Sequence, residues 1–380
     1  MEPQASPFPN PETAALFGQR VGRLTAALAH RKPDRTPVIA QAEQWNAVHV
    51  GAPLSRFCAD PFYSAEVICE SYSRLPTFDA PEMANCVPDF VAAITLSKML
   101  TAGRDLPEGR AYMVDERERL SVEDYDTIAA MGWRPFFGKY CKERLGLDLE
   151  EYFPKMIGSA VHGTKLNLAA GRPIFTLPLT PGPPLEPLAG GRSMAKFMRD
   201  LFKCPDRVEA AMDAMMPDFL DEIRGVLRSL PVKPLTVFIG CGRGSSEFLS
   251  PRFWERFCWK YFKQLCDAVI AEGVVVNMHL EGNWERDLAY FKEFEKGTVL
   301  YATEHSTDIY RIKEVCGSRV AIKGDVPSPM LAFGTPDEVY AYSRKLIEDM
   351  GDGFILAPAC TAPPNSKLEN VEAMLAAAVA

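Results

Sequence analysis

From about residue 172 onward the chain repeats one pattern, a short apolar run followed by a longer amphipathic segment. PIFTLPLT precedes SMAKFMRDLFKCPDRVEAAMDAMMPDFL, LTVFIG precedes SPRFWERFCWKYFKQLCDAV, and VVVNMHLEG precedes ERDLAYFKEF. TVLYA, RVAIKG and GFILA are each followed in the same way by TDIYRIKEVCG, TPDEVYAYSRKLIEDMG and LENVEAMLAAAVA. Strand then helix, six times over, requires parallel strands, because each crossover must return to the same edge before the next strand begins. With further strands predicted near 36–40 and 75–80 the count approaches eight, which favours an α/β (β/α)8 TIM barrel over an open sheet. No gapped glycine fingerprint follows the first strand, as a dinucleotide fold would need. The glycine-rich GCGRGSSE at 240–247 lacks the Lys-Ser/Thr of a phosphate loop.

The rest of the chain fits around this repeat. Residues 1–15 are rich in proline and polar groups and are expected to form an irregular arm, after which FGQRVGRLTAALAH has helical spacing. Residues 16–380 are expected to be one barrel domain, with a mainly helical N-terminal elaboration covering it at about 60–165. A chain of 380 residues with 47% hydrophobic side chains has ample core material. Its net charge of −8 and the lack of a dense Lys/Arg run exclude a phosphate-backbone partner. Ten scattered cysteines without a CxxC pair fit buried, reduced thiols. The first residues lack a signal-like apolar run and no stretch is long enough to span a bilayer, so a cytoplasmic location is expected.

Within the repeat, polar residues gather at predicted strand ends, the active face of such barrels. His279 and Glu281 lie two apart on a strand and so point the same way, and Cys360 ends another strand. An imidazole, a carboxylate and a thiolate with one position left open would suit catalytic Zn²⁺. Glu304 and Asp325 follow the next two strands and are candidate acid/base or ligand-orienting groups, and Glu247 in the glycine-rich loop is a third candidate catalytic residue. Each has a plainer alternative as a turn cap or solvated carboxylate. Beside Glu304, His305 is expected to point elsewhere. Trp284, Tyr301, Phe333 and the aromatics of 130–153 are candidates to line an apolar pocket, although aromatics more often fill cores.

RVGRLTAALAHRKPDRTPV, EFLSPRFWERFCWKYFKQL, RVAIKGDVPSPMLAFGTPDEV and GDGFILAPACTAPPNSKLENVEAM together resemble the uroporphyrinogen decarboxylase superfamily over residues 17–40 and 172–378. The resemblance implies a (β/α)8 barrel. Its decarboxylases carry an arginine-rich MRQAGRY motif after the first strand, where this chain reads VIAQAEQWNAVHVG, without the cations that a polycarboxylate substrate needs. Its cobalamin-dependent methyltransferases hold zinc with a His-x-Cys pair and a late Cys. His279 and Cys360 match that pattern and Glu281 replaces the middle Cys, a departure that leaves metal binding open.

The resemblance therefore implies a zinc-dependent methyltransferase that moves a methyl group from a small, methoxylated or otherwise methylated donor to the Co(I) corrinoid of a partner protein. The chain has no corrinoid-binding Asp-x-His-x-x-Gly, so that cofactor is expected on the partner. A homo-oligomer is compatible with such a barrel. The first alternative is a metal-independent decarboxylase with a cationic pocket drawn from Arg172, Arg192 or Arg243. The second is a non-catalytic corrinoid-protein binding module.

Overall fold

A computed structural model describes residues 7–115, 117–180 and 182–380. Eight parallel strands form the centre: β1 (Ile39–Ala40), β2 (Ala80–Pro81), β3 (Thr176–Pro178), β4 (Thr236–Cys241), β5 (Val275–Leu280), β6 (Val299–Thr303), β7 (Ala321–Val326) and β8 (Phe354–Pro358). β3 to β8 pair in sequence order as one six-stranded sheet, and β1 pairs with β2. The two pieces join into a closed ring. Val38 pairs in parallel with Leu356 and Gln41 with Thr361, linking β1 to β8. On the other side Phe175 N–H donates to the Pro81 carbonyl at 3.0 Å and Thr176 N–H to the Glu82 carbonyl at 3.1 Å, linking β2 to β3. The predicted (β/α)8 barrel is thus present, with no open sheet edge between its strands.

Helix α1 (Pro11–Leu28) begins earlier than the composition suggests. Asn10 accepts the Thr13 N–H at 2.8 Å and Pro11 occupies the first turn, where its missing N–H costs nothing, so residues 11–15 are helical rather than irregular. The first six residues of the expected arm lie outside the described chain. α1 plugs the N-terminal end of the barrel: Leu24, Ala27 and Leu28 share one apolar cluster with Ile39, Ala80, Phe175, Leu300, Ala321 and Ile355. Arg23 holds it there by pairing with Asp34 and with the fully buried Asp79, which also accepts Arg35 at 3.0 Å and the Val38 N–H at 2.9 Å. The opening motif RVGRLTAALAHRKPDRTPV is therefore structural in origin.

Between β2 and β3 the expected helical elaboration contains Pro88–Ile94, Glu123–Met131, Trp133–Tyr140 and Leu149–Ala169. It also contains an antiparallel pair, Lys98–Leu100 with Met113–Asp115, which the helical pattern did not suggest. The long helix packs so closely on the loop after β2 that a Cβ at Gly163 would lie 2.2 Å from the Ala84 carbonyl oxygen. Gly163→Ala is accordingly expected to destabilise the protein by about 1–3 kcal/mol, despite alanine's better helix propensity. A urea-unfolding midpoint at or above that of the wild type would contradict the close packing.

Trp284 and Tyr301 do not line a pocket. Both are fully buried and pack edge-on against Phe291, at centroid distances of 6.2 and 5.4 Å, in the layer outside the strands. Phe333, by contrast, is 75% exposed.

Candidate metal centre

The inner face of β5 is set by alternation. Asn277, His279 and, just past the strand end, Glu281 fall on the same side, while Met278 and Leu280 enter the apolar layer outside. Inside the barrel, above the apolar plug, lies a buried polar tier. Lys323 Nζ donates to both Glu82 carboxylate oxygens at 2.8 Å, and Asn277 Nδ2 donates to one of them at 2.7 Å. These three side chains come from β7, β5 and the residue after β2, so the ion pair spans the barrel interior. All are at most 5% exposed.

One turn of the pleat higher, three potential ligands converge. His279 Nε2 lies 3.4 Å from Glu281 Oε1 and 3.6 Å from Cys360 Sγ, and Cys360 Sγ lies 3.7 Å from Glu281 Oε1. One ligand atom from each residue falls within 4.8 Å of the other two, and no other such group occurs among the described residues. His279 is buried and stacks on Phe238, Cys360 is partly buried, and Glu281 is open to solvent. Burial disfavours the imidazolium, but hydrogen bonds to Cys360 and Glu281 outweigh it and raise the His279 pKa to about 10. The same pairing with His279 lowers the Glu281 carboxyl below its ordinary range.

The donor set suits a divalent metal. Nitrogen, oxygen and sulfur ligands meet at the open end of a barrel, and three protein ligands leave a coordination position free. One carboxylate in place of a second thiolate makes the site harder and more electrophilic.

The three candidate catalytic carboxylates stand around this cluster without joining it. Glu304 accepts the Gly282 N–H at 2.8 Å, and Glu247 accepts the Asn283 N–H at 3.2 Å and the Ser245 hydroxyl at 3.3 Å. Both therefore grip the turn that carries Glu281. Asp325 is buried between His305 Nδ1 at 2.8 Å and the Tyr342 hydroxyl at 2.9 Å, and burial raises its pKa despite these two partners. His305 thus does have a defined role, as the partner of Asp325.

The glycine-rich loop after β4 explains itself. Its amides, at Gly242, Arg243 and Gly244, all donate to Glu186 Oε1 at 2.8–3.2 Å, and Arg243 reaches Glu186 Oε2 at 3.3 Å. The backbone cradle is filled by the protein's own carboxylate instead of a phosphate. Glu186, Glu82 and Lys323 escaped sequence reading. A lone Lys in RVAIKGDV and a lone Asn in VVVNMHL were the available signals, since a charge in a buried strand demands a partner.

The model of the uroporphyrinogen decarboxylase (URO-D) family matches residues 188–380, just over half the chain. No curated protein matches it. Among solved structures, a methyltransferase from Methanosarcina mazei superposes with a TM-score of 0.69 at 20% sequence identity, covering 94% of this chain and 98% of that one. The likeness extends the shared fold over almost the whole molecule. No helix among the described residues is long and apolar enough to cross a membrane.

Proposed function

Because the chain belongs to the uroporphyrinogen decarboxylase family and carries a His/Glu/Cys cluster at the mouth of its barrel, we propose that it is a zinc-dependent methyltransferase. In this reading a small methylated donor enters the mouth and its methyl group passes to the Co(I) corrinoid of a partner protein. The observation that carries the proposal is the convergence of His279, Glu281 and Cys360 from two strands. They would hold the ion, which when bound supplies Lewis acidity toward the donor's heteroatom. The chain's own contribution is positional. Glu304 and Glu247 fix the turn bearing Glu281, and the Glu82–Lys323–Asn277 tier gives the cavity a rigid polar floor. Asp325, with His305 at its side, is a strand-end carboxyl that in this reading holds a proton for the leaving group.

The decarboxylase alternative lacks its cations. Arg172 is buried on Asn167, Ser73 and the Cys69 carbonyl, Arg192 is buried against Asp200 and Glu118, and Arg243 pairs with Glu186. A non-catalytic binding module would have no use for the ligand cluster.

The test is to mix zinc-loaded protein with a chemically reduced corrinoid and a panel of O-, N- and S-methyl compounds, following the corrinoid's visible spectrum. At least one donor is expected to methylate the corrinoid only when protein is present. Decarboxylation of a polycarboxylate by metal-free protein, with no methylation from any donor, would overturn the proposal.

A further inference from the structure

Beside the ligand cluster, at the C-terminal ends of β1 and β2, lies a small cleft of about 40 Å³ that opens to solvent. It adjoins the cluster through the backbone, where Gln41 pairs with Thr361, the residue after Cys360. Its polar wall carries Gln41, Glu43, Asn46 and Glu82, and no lysine or arginine lines it. Glu82 is neutralised by Lys323. Glu43 accepts the Gln41 amide at 2.9 Å and forms no ion pair with a lysine or arginine among the described residues.

Asn46 is the telling residue. It is 2% exposed, it lines the cleft, and its side-chain oxygen is buried without a hydrogen-bond donor among the described residues. The Gln41 carbonyl oxygen is likewise buried without a donor. Unpaired buried polar atoms cost about 1–3 kcal/mol each, so their persistence along one wall marks a place where a ligand supplies the missing donors. Ile68, Val87 and Val91 give the opposite wall an apolar character. Burial raises the pKa of the Glu43 carboxyl even with the Gln41 hydrogen bond and the His279 imidazole favouring its charge, and an incoming positive charge would offset that cost.

We propose that this cleft takes the ammonium group of an amine, with Glu43 as counter-ion, the Asn46 and Gln41 carbonyls as acceptors and the apolar wall against the substrate's hydrocarbon part. The assignment rests on the methyltransferase reading for its meaning, since it makes the methyl donor a small amine-bearing molecule. It does not rest on that reading for its test.

Three probes that share one ring separate the charges: benzylammonium, benzyl alcohol and benzoate, titrated into full-length protein at pH 7 by calorimetry. Benzylammonium is expected to bind about tenfold or more tightly than benzyl alcohol, and benzoate more weakly than either. Glu43→Gln is expected to reduce the preference for the cation to less than about threefold, and Asn46→Ala to weaken both ligands. Equal binding of benzylammonium and benzyl alcohol, or no binding of benzylammonium at millimolar concentration, would overturn the proposal. So would an undiminished cation preference in folded Glu43→Gln protein. Methyl transfer from neutral donors alone, combined with equal probe binding, would remove the amine cleft and leave the methyltransferase standing. Selective amine binding without transfer from any donor would do the reverse.

Discussion

Protein carrying His279→Ala is expected to retain less than about one tenth of the zinc bound by the wild type and to lose methyl transfer by about 10³-fold or more, while unfolding at nearly the same urea concentration. Cys360→Ala should behave alike, because each supplies a ligand from a different strand. Glu281→Gln should fall between them and the wild type. Its amide oxygen still reaches the site but carries no charge, so metal affinity drops more than stability. The measurement is metal content per folded chain, determined by atomic emission after dialysis, alongside the corrinoid assay. Variants that keep stoichiometric zinc would remove these residues from the metal site. Removing the metal with a chelator should abolish transfer in the wild type and leave the fold intact, because the barrel is held by its sheet and its apolar layers rather than by the cluster.

The second large effect concerns stability. Lys323→Met leaves the Glu82 carboxylate inside the barrel with Asn277 as its remaining side-chain donor, and is expected to cost about 3–5 kcal/mol. The double variant Glu82→Leu/Lys323→Met removes both charges together and should recover most of that loss, since a buried pair is often no more stabilising than well-packed apolar residues of similar volume. Urea unfolding of the two single variants and the double variant forms a mutant cycle, and a single-variant cost below about 1 kcal/mol would show that the pair is not desolvated.

These two expectations mark the boundary of what the sequence makes legible. β4 to β8 are readable because each opens on or contains a short apolar stretch with a helix after it, and the spacing of His279 and Glu281 follows directly from strand periodicity. The proximity of Cys360 needed only the parallel order of the strands, which puts all their ends on one rim. β1 and β2 are harder to read. Each regular pairing spans only two residues, and the ring closes through single bridges and loop hydrogen bonds. The antiparallel pair inside the helical elaboration is only three residues per strand, with one buried side chain, Met99, so it has no alternating apolar signature to detect.

Site groups outside the strand repeat were hidden for a different reason. Glu82 and Lys323 are 241 positions apart, and only closure of the barrel makes them neighbours. Glu304 and Glu247 looked like chemistry from their positions, whereas their hydrogen bonds are to the backbone of the turn after Glu281. Glu43 and Asn46 sit in a segment whose most visible property was the absence of arginine. What fills that place instead, a carboxylate and an unsatisfied amide, becomes readable only when the wall they share is seen.

The α1 plug has a consequence for the timing of turnover. Because the floor of the barrel is sealed, anything that reaches His279 arrives by the same mouth that a macromolecular acceptor would have to cover. In the proposed reaction the donor would therefore have to be seated before an acceptor protein closes over it and could leave only after that acceptor departs, so excess acceptor protein is expected to slow the cycle rather than saturate it.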